Sequence, residues 1–196
     1  MNLFSDVIHG GHGDKETLAE AKEFAKGFEY QKKDGWEPDT HSLSDPTFSG
    51  NCIKEKELPL INKFIHSTLI EYLEQLGHSQ NTIQGFDIVE SWLTNTKNGE
   101  YAKQHHHGTT DVSGVYYIQS NPDTDGNLYF VAPDVIRNAK ALYRMLHNQH
   151  DIFPIENQLI LFPGWMPHGT RIHQGTEDRI SLSFNIHLFF TNQYQN

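Results

Sequence analysis

The sequence of 196 residues contains a single cysteine, Cys52. One thiol excludes an intramolecular disulfide and the cysteine-rich zinc modules. No stretch approaches the roughly 18 apolar residues of a membrane span, and the N-terminus lacks the basic start and apolar segment of a secretory signal. We therefore expect a cytoplasmic protein in a reducing environment, with no membrane partner.

Basic residues are also scarce, because 15 Lys and Arg stand against 25 Asp and Glu, for a formal net charge of -10. This balance argues against a nucleic-acid groove as the main partner surface. The 36% hydrophobic content is enough for one core, so we predict one domain over residues 1–196. Histidine is the abundant exception, with thirteen copies.

The chain divides by the period of its apolar residues. Apolar residues recur at helical spacing over 15–28 and 60–76, which predicts two helices. We predict that these helices form an N-terminal supporting region, 1–77. Residues 86–190 are predicted to form a β-rich core with an insert at 131–151. The fold class is therefore mainly β (α+β), a cupin-like jelly roll with the helices packed on one sheet. The predicted strands are 86–95, 101–107, 112–119, 126–132, 157–164 and 179–190.

Three consecutive histidines occur in the segment "YAKQHHH" at 101–107. On a strand, side chains alternate between faces, so His105 and His107 would project together while His106 points away. Such a pair can chelate a metal, although a solvated loop explains it equally well. A third histidine, His168, follows the apolar run "LILFPGWMP" and is expected at the rim of the barrel. It makes a metal site the better interpretation.

The strand "RISLSFN" has one apolar face and one polar face. Its polar face begins with Arg179 and Ser181, and a guanidinium beside a hydroxyl suits the binding of a carboxylate in a concave pocket. The alternative is a half-exposed strand whose polar face meets water.

These motifs, in the order H-x-H, "SGVYY", "LYF", "LILFPGWMPH" and "RISLSFN", resemble the iron(II)- and 2-oxoglutarate-dependent oxygenases. The likeness is to a branch of small 2OG-Fe(II) oxygenases with an H-x-H…SGVYY signature, and it covers residues 86–190. It implies a double-stranded β-helix. It also implies metal ligands at His105, position 107 and His168, with the distal carboxylate of the cosubstrate on Arg179 and Ser181. Tyr101, Tyr116 or Tyr117 would add a hydroxyl.

The sequence departs from the pattern of this family at position 107. The usual ligand set is two histidines and a carboxylate, but residue 107 is His. Either the metal takes three imidazoles, or Asp111 folds back as the carboxylate ligand. We favour His105, His107 and His168 because the first two share a strand face, whereas Asp111 is equally explained as a turn-capping residue.

The resemblance implies an enzyme that uses Fe(II) and 2-oxoglutarate, with ascorbate as a candidate reductant. It would hydroxylate a small molecule or a peptide and convert 2-oxoglutarate to succinate and CO2. The insert 131–151 and the segment Trp36–His41 are candidates for a substrate lid, and a homodimer is a candidate assembly. Two alternatives are a non-redox cupin-like metalloenzyme and a jelly-roll binding module.

Overall fold

The structure is a computed structural model that describes residues 7–78, 83–131 and 149–191. Its helices are α1 (Lys15–Ala25) and α2 (Pro59–Gln75). Asp14 caps α1 by accepting a hydrogen bond from the Thr17 amide, and Pro59 occupies the first turn of α2, where its missing N–H costs nothing. In the described part of the chain, neither helix is long and apolar enough to span a membrane.

Nine strands form two sheets within the described residues. Their bounds are β1 (His9–His12), β2 (Ser42–Leu43), β3 (Ile83–Thr96), β4 (Val112–Gln119), β5 (Leu128–Val131), β6 (Gln149–Ile152), β7 (Gln158–Pro163), β8 (His168–Thr170) and β9 (Arg179–Phe190). The larger sheet has the order β1-β7-β4-β9-β3-β2, and the smaller one has the order β6-β5-β8. All of these pairings are antiparallel. The fold is the predicted double-stranded β-helix.

Both helices pack against the outer face of the larger sheet. Leu69 of α2 and Ala21 of α1 are fully buried in one apolar cluster with Leu161 of β7 and Leu182 of β9. A second, smaller cluster lies between the two sheets and includes Tyr117, Phe130 and Phe162. The predicted helical layer on one sheet is therefore present, and the interior between the sheets is left for a site.

Several predicted elements differ from the structure. Segment 101–107 is not a strand, and it makes only the isolated bridges Thr40–Tyr101 and His105–His168. Its two ends meet different partners, so no continuous ladder forms. The short strands β1, β2, β6 and β8 were not predicted. Most of the insert 131–151, a candidate substrate lid, lies outside the described residues, although its last residues belong to β6.

Candidate metal and cosubstrate site

A bridge between two distant segments brings the histidines together. The His105 amide donates to the His168 carbonyl at 2.8 Å, and the His168 amide donates back at 2.9 Å. The His107 amide donates to the Gly164 carbonyl at 2.8 Å, and Gly108, at φ +62°, turns the chain immediately afterwards. His106 points away and accepts a hydrogen bond from the Gly108 amide.

The ring nitrogens of His105, His107 and His168 lie within 4.8 Å of one another. Among the described residues they form the one group of three or more His, Cys, Asp or Glu side chains that could hold a metal ion. A metal–imidazole bond is about 2.1 Å long, so small ring movements would close the group around one ion.

Hydrogen bonds orient two of these rings. Nδ1 of His105 lies 2.7 Å from the Lys103 carbonyl, and Nδ1 of His168 lies 2.8 Å from the Met166 carbonyl. A carbonyl only accepts, so both Nδ1 atoms carry the proton, and both Nε2 atoms keep a free lone pair. Outer hydrogen bonds of this kind orient metal-binding histidines. Nδ1 of His107 lies 3.3 Å from the side-chain amide of Asn185.

The rings are also held neutral, as metal ligation requires. Loss of hydration lowers the pKa of His107 and of His168 to about 3, and each is lowered further by its histidine neighbours. The pKa of His105 is lowered for the same first reason. The donor set therefore fits a divalent transition metal bound by three neutral imidazoles.

Asp111 lies apart from this cluster. Its carboxylate accepts a hydrogen bond from the Leu188 amide at 2.8 Å and is 3.5 Å from Nδ1 of His187. It lines a separate hollow next to Trp165. The structure thus brings His105, His107 and His168 together and does not bring Asp111 to them.

A cavity of about 520 Å³ between the sheets contains the three histidines. Arg179, Ser181 and Tyr117 also line it, so the polar face of β9 meets the cavity rather than bulk water. Tyr101 is not among the lining residues, and the Tyr116 hydroxyl donates to Asn157 elsewhere.

Arg179 is a buried cation with an unused donor. Its guanidinium donates to the Gly126 carbonyl and to the hydroxyls of Thr96 and Thr170. Its Nε has no hydrogen-bond partner among the described residues, and no carboxylate there forms an ion pair with it. Burial lowers the pKa of this guanidinium. An anion in the cavity would supply the missing partner.

Tyr117 and Ser181 are placed to donate hydrogen bonds to such an anion. Burial raises the pKa of Tyr117 to about 12, so its hydroxyl remains a donor. Ser181 lies beside Tyr117 in the β4–β9 ladder, and its hydroxyl is 2.6 Å from that of Thr94. The cavity therefore contains one guanidinium and two hydroxyls, which come from β9 and β4, in addition to the histidine cluster.

Other lining residues were missed by the sequence analysis. Glu90, Trp92, Thr94 and Thr96 alternate along β3 and face the cavity together. These residues alternate in the sequence, and that spacing of two could have predicted that they share one face of a strand. The segment Trp36–His41, by contrast, was named as a candidate substrate lid, and Trp36 and His41 do line the cavity.

Cys52 is buried near Ser91, and burial raises its pKa to about 11, as suits a thiol without a catalytic role.

Comparisons with known proteins indicate one family over the region that contains this site. A protein-family model described as "Putative 2OG-Fe(II) oxygenase" matches residues 90–185. No curated protein sequence matches the chain.

Three solved structures of similar fold are distant from this chain in sequence. A Pseudomonas putida prolyl-4-hydroxylase is 16% identical with a TM-score of 0.58, over 93% of each chain. The alpha-ketoglutarate-dependent epimerase SnoN from nogalamycin biosynthesis is 12% identical with a TM-score of 0.67, over 93% of this chain and 78% of SnoN.

A third structure is HygX from Streptomyces hygroscopicus, which contains nickel and 2-oxoglutarate. It is 12% identical with a TM-score of 0.56, over 93% of this chain and 83% of HygX. The family match covers the segments that contain the three histidines and Arg179, and the fold agrees over most of the chain. Residues 90–185 accordingly carry the sequence pattern of the 2OG-Fe(II) oxygenases, a superfamily of enzymes.

Proposed function

We propose that this protein is an iron(II)- and 2-oxoglutarate-dependent hydroxylase acting on a small molecule or a peptide. His105, His107 and His168 would hold the iron. Arg179, with Ser181 and Tyr117, would bind the distal carboxylate of 2-oxoglutarate. The observation that carries the proposal is the buried guanidinium of Arg179, which has an unused Nε–H and lines the same cavity as the three histidines.

Bound iron(II) and 2-oxoglutarate would activate dioxygen, with one oxygen atom entering 2-oxoglutarate as it is converted to succinate and CO2 and the other hydroxylating the substrate. The residues of the chain hold the iron and 2-oxoglutarate and orient them. The Lys103 and Met166 carbonyls fix the rings of His105 and His168, so that their Nε2 lone pairs stay available. The aromatic and aliphatic lining excludes water from the reacting groups.

Arg179 provides selectivity for a dicarboxylate. A carboxylate buried without a partner is costly, whereas each hydrogen bond to a charged group contributes about 1.5–3 kcal/mol. The Gly126 carbonyl and the Thr96 and Thr170 hydroxyls fix the guanidinium before any ligand binds. The entropic cost of ordering the Arg179 side chain when a ligand binds is therefore small.

The proposal is tested by anaerobic titration with Fe(II) and 2-oxoglutarate, which gives a weak visible charge-transfer band when both bind at one centre. We expect Arg179→Met to keep its metal affinity and to weaken 2-oxoglutarate binding at least about tenfold, or roughly 1.4 kcal/mol. Arg179→Lys should recover only part of the loss, because a point charge lacks the guanidinium fork.

Arg171 supplies a matched control. It lies outside the cavity lining and pairs with Asp151 at 2.8 Å, so Arg171→Met should bind 2-oxoglutarate like the parent. A parent protein that never binds 2-oxoglutarate, or an Arg179→Met variant that binds it normally, would favour a non-redox cupin-like metalloenzyme instead.

A further inference from the structure

We propose that the substrate carries a cationic nitrogen group, which the cavity binds between the Glu90 carboxylate and an aromatic wall formed by Trp36, Phe48 and Trp92. This inference rests on the proposed function, since it assigns Arg179 to 2-oxoglutarate. It adds the chemical class of the substrate.

The charges in the cavity lead to this proposal. The described lining contains four charged side chains, which are Glu37, Glu90, Lys103 and Arg179. Glu37 and Lys103 pair with each other at 3.4 Å. With Arg179 assigned to the cosubstrate, Glu90 remains, and no ion pair to it occurs within the described ranges.

Glu90 lies close to the proposed metal centre. Its Oε2 accepts a hydrogen bond from the Asn185 side-chain amide at 2.9 Å, and that amide nitrogen is 3.3 Å from Nδ1 of His107. Asn185 is buried, which fixes the arrangement. A cationic group bound to Glu90 would therefore hold its attached carbon atoms near the histidine cluster, where hydroxylation would take place.

The aromatic wall runs from His107 to Trp36, which is exposed at the surface. The ring centroids of Trp92 and His107 are 5.8 Å apart, those of Phe48 and Trp92 are 5.2 Å apart, and those of Trp36 and Phe48 are 6.2 Å apart. Aromatic faces attract cations within about 6 Å of the ring centroid. Lys33 already makes this contact, with its Nζ 4.7 Å from the centre of the Phe48 ring.

The backbone is strained where it presents Phe48. Phe48 has φ +55°, a left-handed conformation that is unfavourable for a side chain of this size. The Asp45 carboxylate holds the loop by accepting hydrogen bonds from the amides of Thr47, Ser49 and Gly50. Strain of this kind persists where the surrounding structure enforces it, commonly at ligand-binding sites. Here it places the Phe48 ring between Trp36 and Trp92.

Other substrate classes fit the cavity less well. An anionic group would be repelled by Glu90, and an apolar group would remove water from the carboxylate without replacing its hydrogen bonds. A cationic nitrogen satisfies both the carboxylate and the ring faces.

Choline and its uncharged isostere 3,3-dimethylbutan-1-ol test this inference as probes. Binding of each to the full chain, loaded anaerobically with Fe(II) and 2-oxoglutarate, is measured by calorimetry. We expect choline to bind at least tenfold more tightly than the alcohol. Glu90→Gln, which keeps the acceptor for Asn185 but removes the charge, should abolish this preference. Glu37→Gln, which removes an acid already paired with Lys103, should keep it.

A second variant guards against misfolding of the first. Trp92→Leu should weaken choline binding and leave the affinity for the alcohol within about twofold. The inference is overturned if the parent binds both probes equally, if it binds 3,3-dimethylbutyrate more tightly than choline, or if Glu90→Gln keeps the preference. Binding of 2-oxoglutarate is followed separately by the visible band. A parent without that band but with a Glu90-dependent preference for choline would refute the proposed function and leave the cation site standing.

Discussion

At the scale of single residues, the chemistry depends on which nitrogen of each histidine faces the interior of the cluster. Backbone carbonyls decide this for His105 and His168, because each holds the proton of Nδ1. His107 differs, since its Nδ1 lies next to the Asn185 amide rather than a carbonyl.

We expect His168→Ala to lose stoichiometric iron binding, because two imidazoles hold a divalent metal much less well than three. The chain should still fold, since His168 pairs through its backbone as well as its ring. Iron content after anaerobic loading and desalting is the measurement. Asp111→Ala is the matched control. Its carboxylate contacts Leu188 and His187 outside the cluster, so it should keep its iron, and loss of iron would favour the carboxylate-ligand alternative.

At the scale of the elements, β4 is fitted closely between β7 and β9. Gly114 pairs with Leu161 on one side and with Phe184 on the other. A Cβ atom at Gly114 would lie 2.3 Å from a Phe184 ring carbon and 2.9 Å from Leu161. Both of those side chains are buried in the core, so neither can move away cheaply.

Gly114→Ala should therefore lower the free energy of unfolding by about 1–3 kcal/mol, the usual cost of overpacking. Urea unfolding measures this change. Gly85→Ala is the control within β3 of the same sheet, because a Cβ at Gly85 meets nothing within 4 Å. It should be neutral or slightly stabilising, and equal losses at the two positions would contradict the packing argument.

At the scale of the whole molecule, buried neutral histidines couple folding to pH. Burial lowers the pKa of His41 to about 4, and that of His107 and His168 to about 3. The unfolded chain takes up protons below the ordinary value of about 6.5, before the folded protein does. Stability is therefore full above pH 6.5 and falls as the pH decreases toward the folded pKa values.

We expect His41→Asn to lose less stability than the parent between pH 7 and pH 5. Removing one such histidine should reduce the loss by about 2 kcal/mol, from roughly 1.4 kcal/mol for each unit of pKa difference. Urea unfolding of metal-free protein at the two pH values measures it. His150→Asn replaces an exposed histidine and should behave like the parent. An equal loss in parent and His41→Asn would show that burial of His41 does not set the pH dependence.

The periodic elements, and the faces on which their residues lie, follow from the sequence alone. Apolar spacing indicated both helices, and alternation indicated β4, β7 and β9 almost to their ends. The same alternation placed Arg179 and Ser181 on one face of β9. These properties are local, because the backbone geometry of a strand or helix fixes which side chains share a face.

Which of these faces meet depends on the tertiary fold. The bridge between His105 and His168 joins segments that are distant in the chain, and sheet order brings Glu90 on β3 opposite Asn185 on β9. The strained Phe48 and the orientation of Asp111 away from the cluster also depend on contacts with distant residues. Strand register and order arise from long-range pairing, which the local period leaves open.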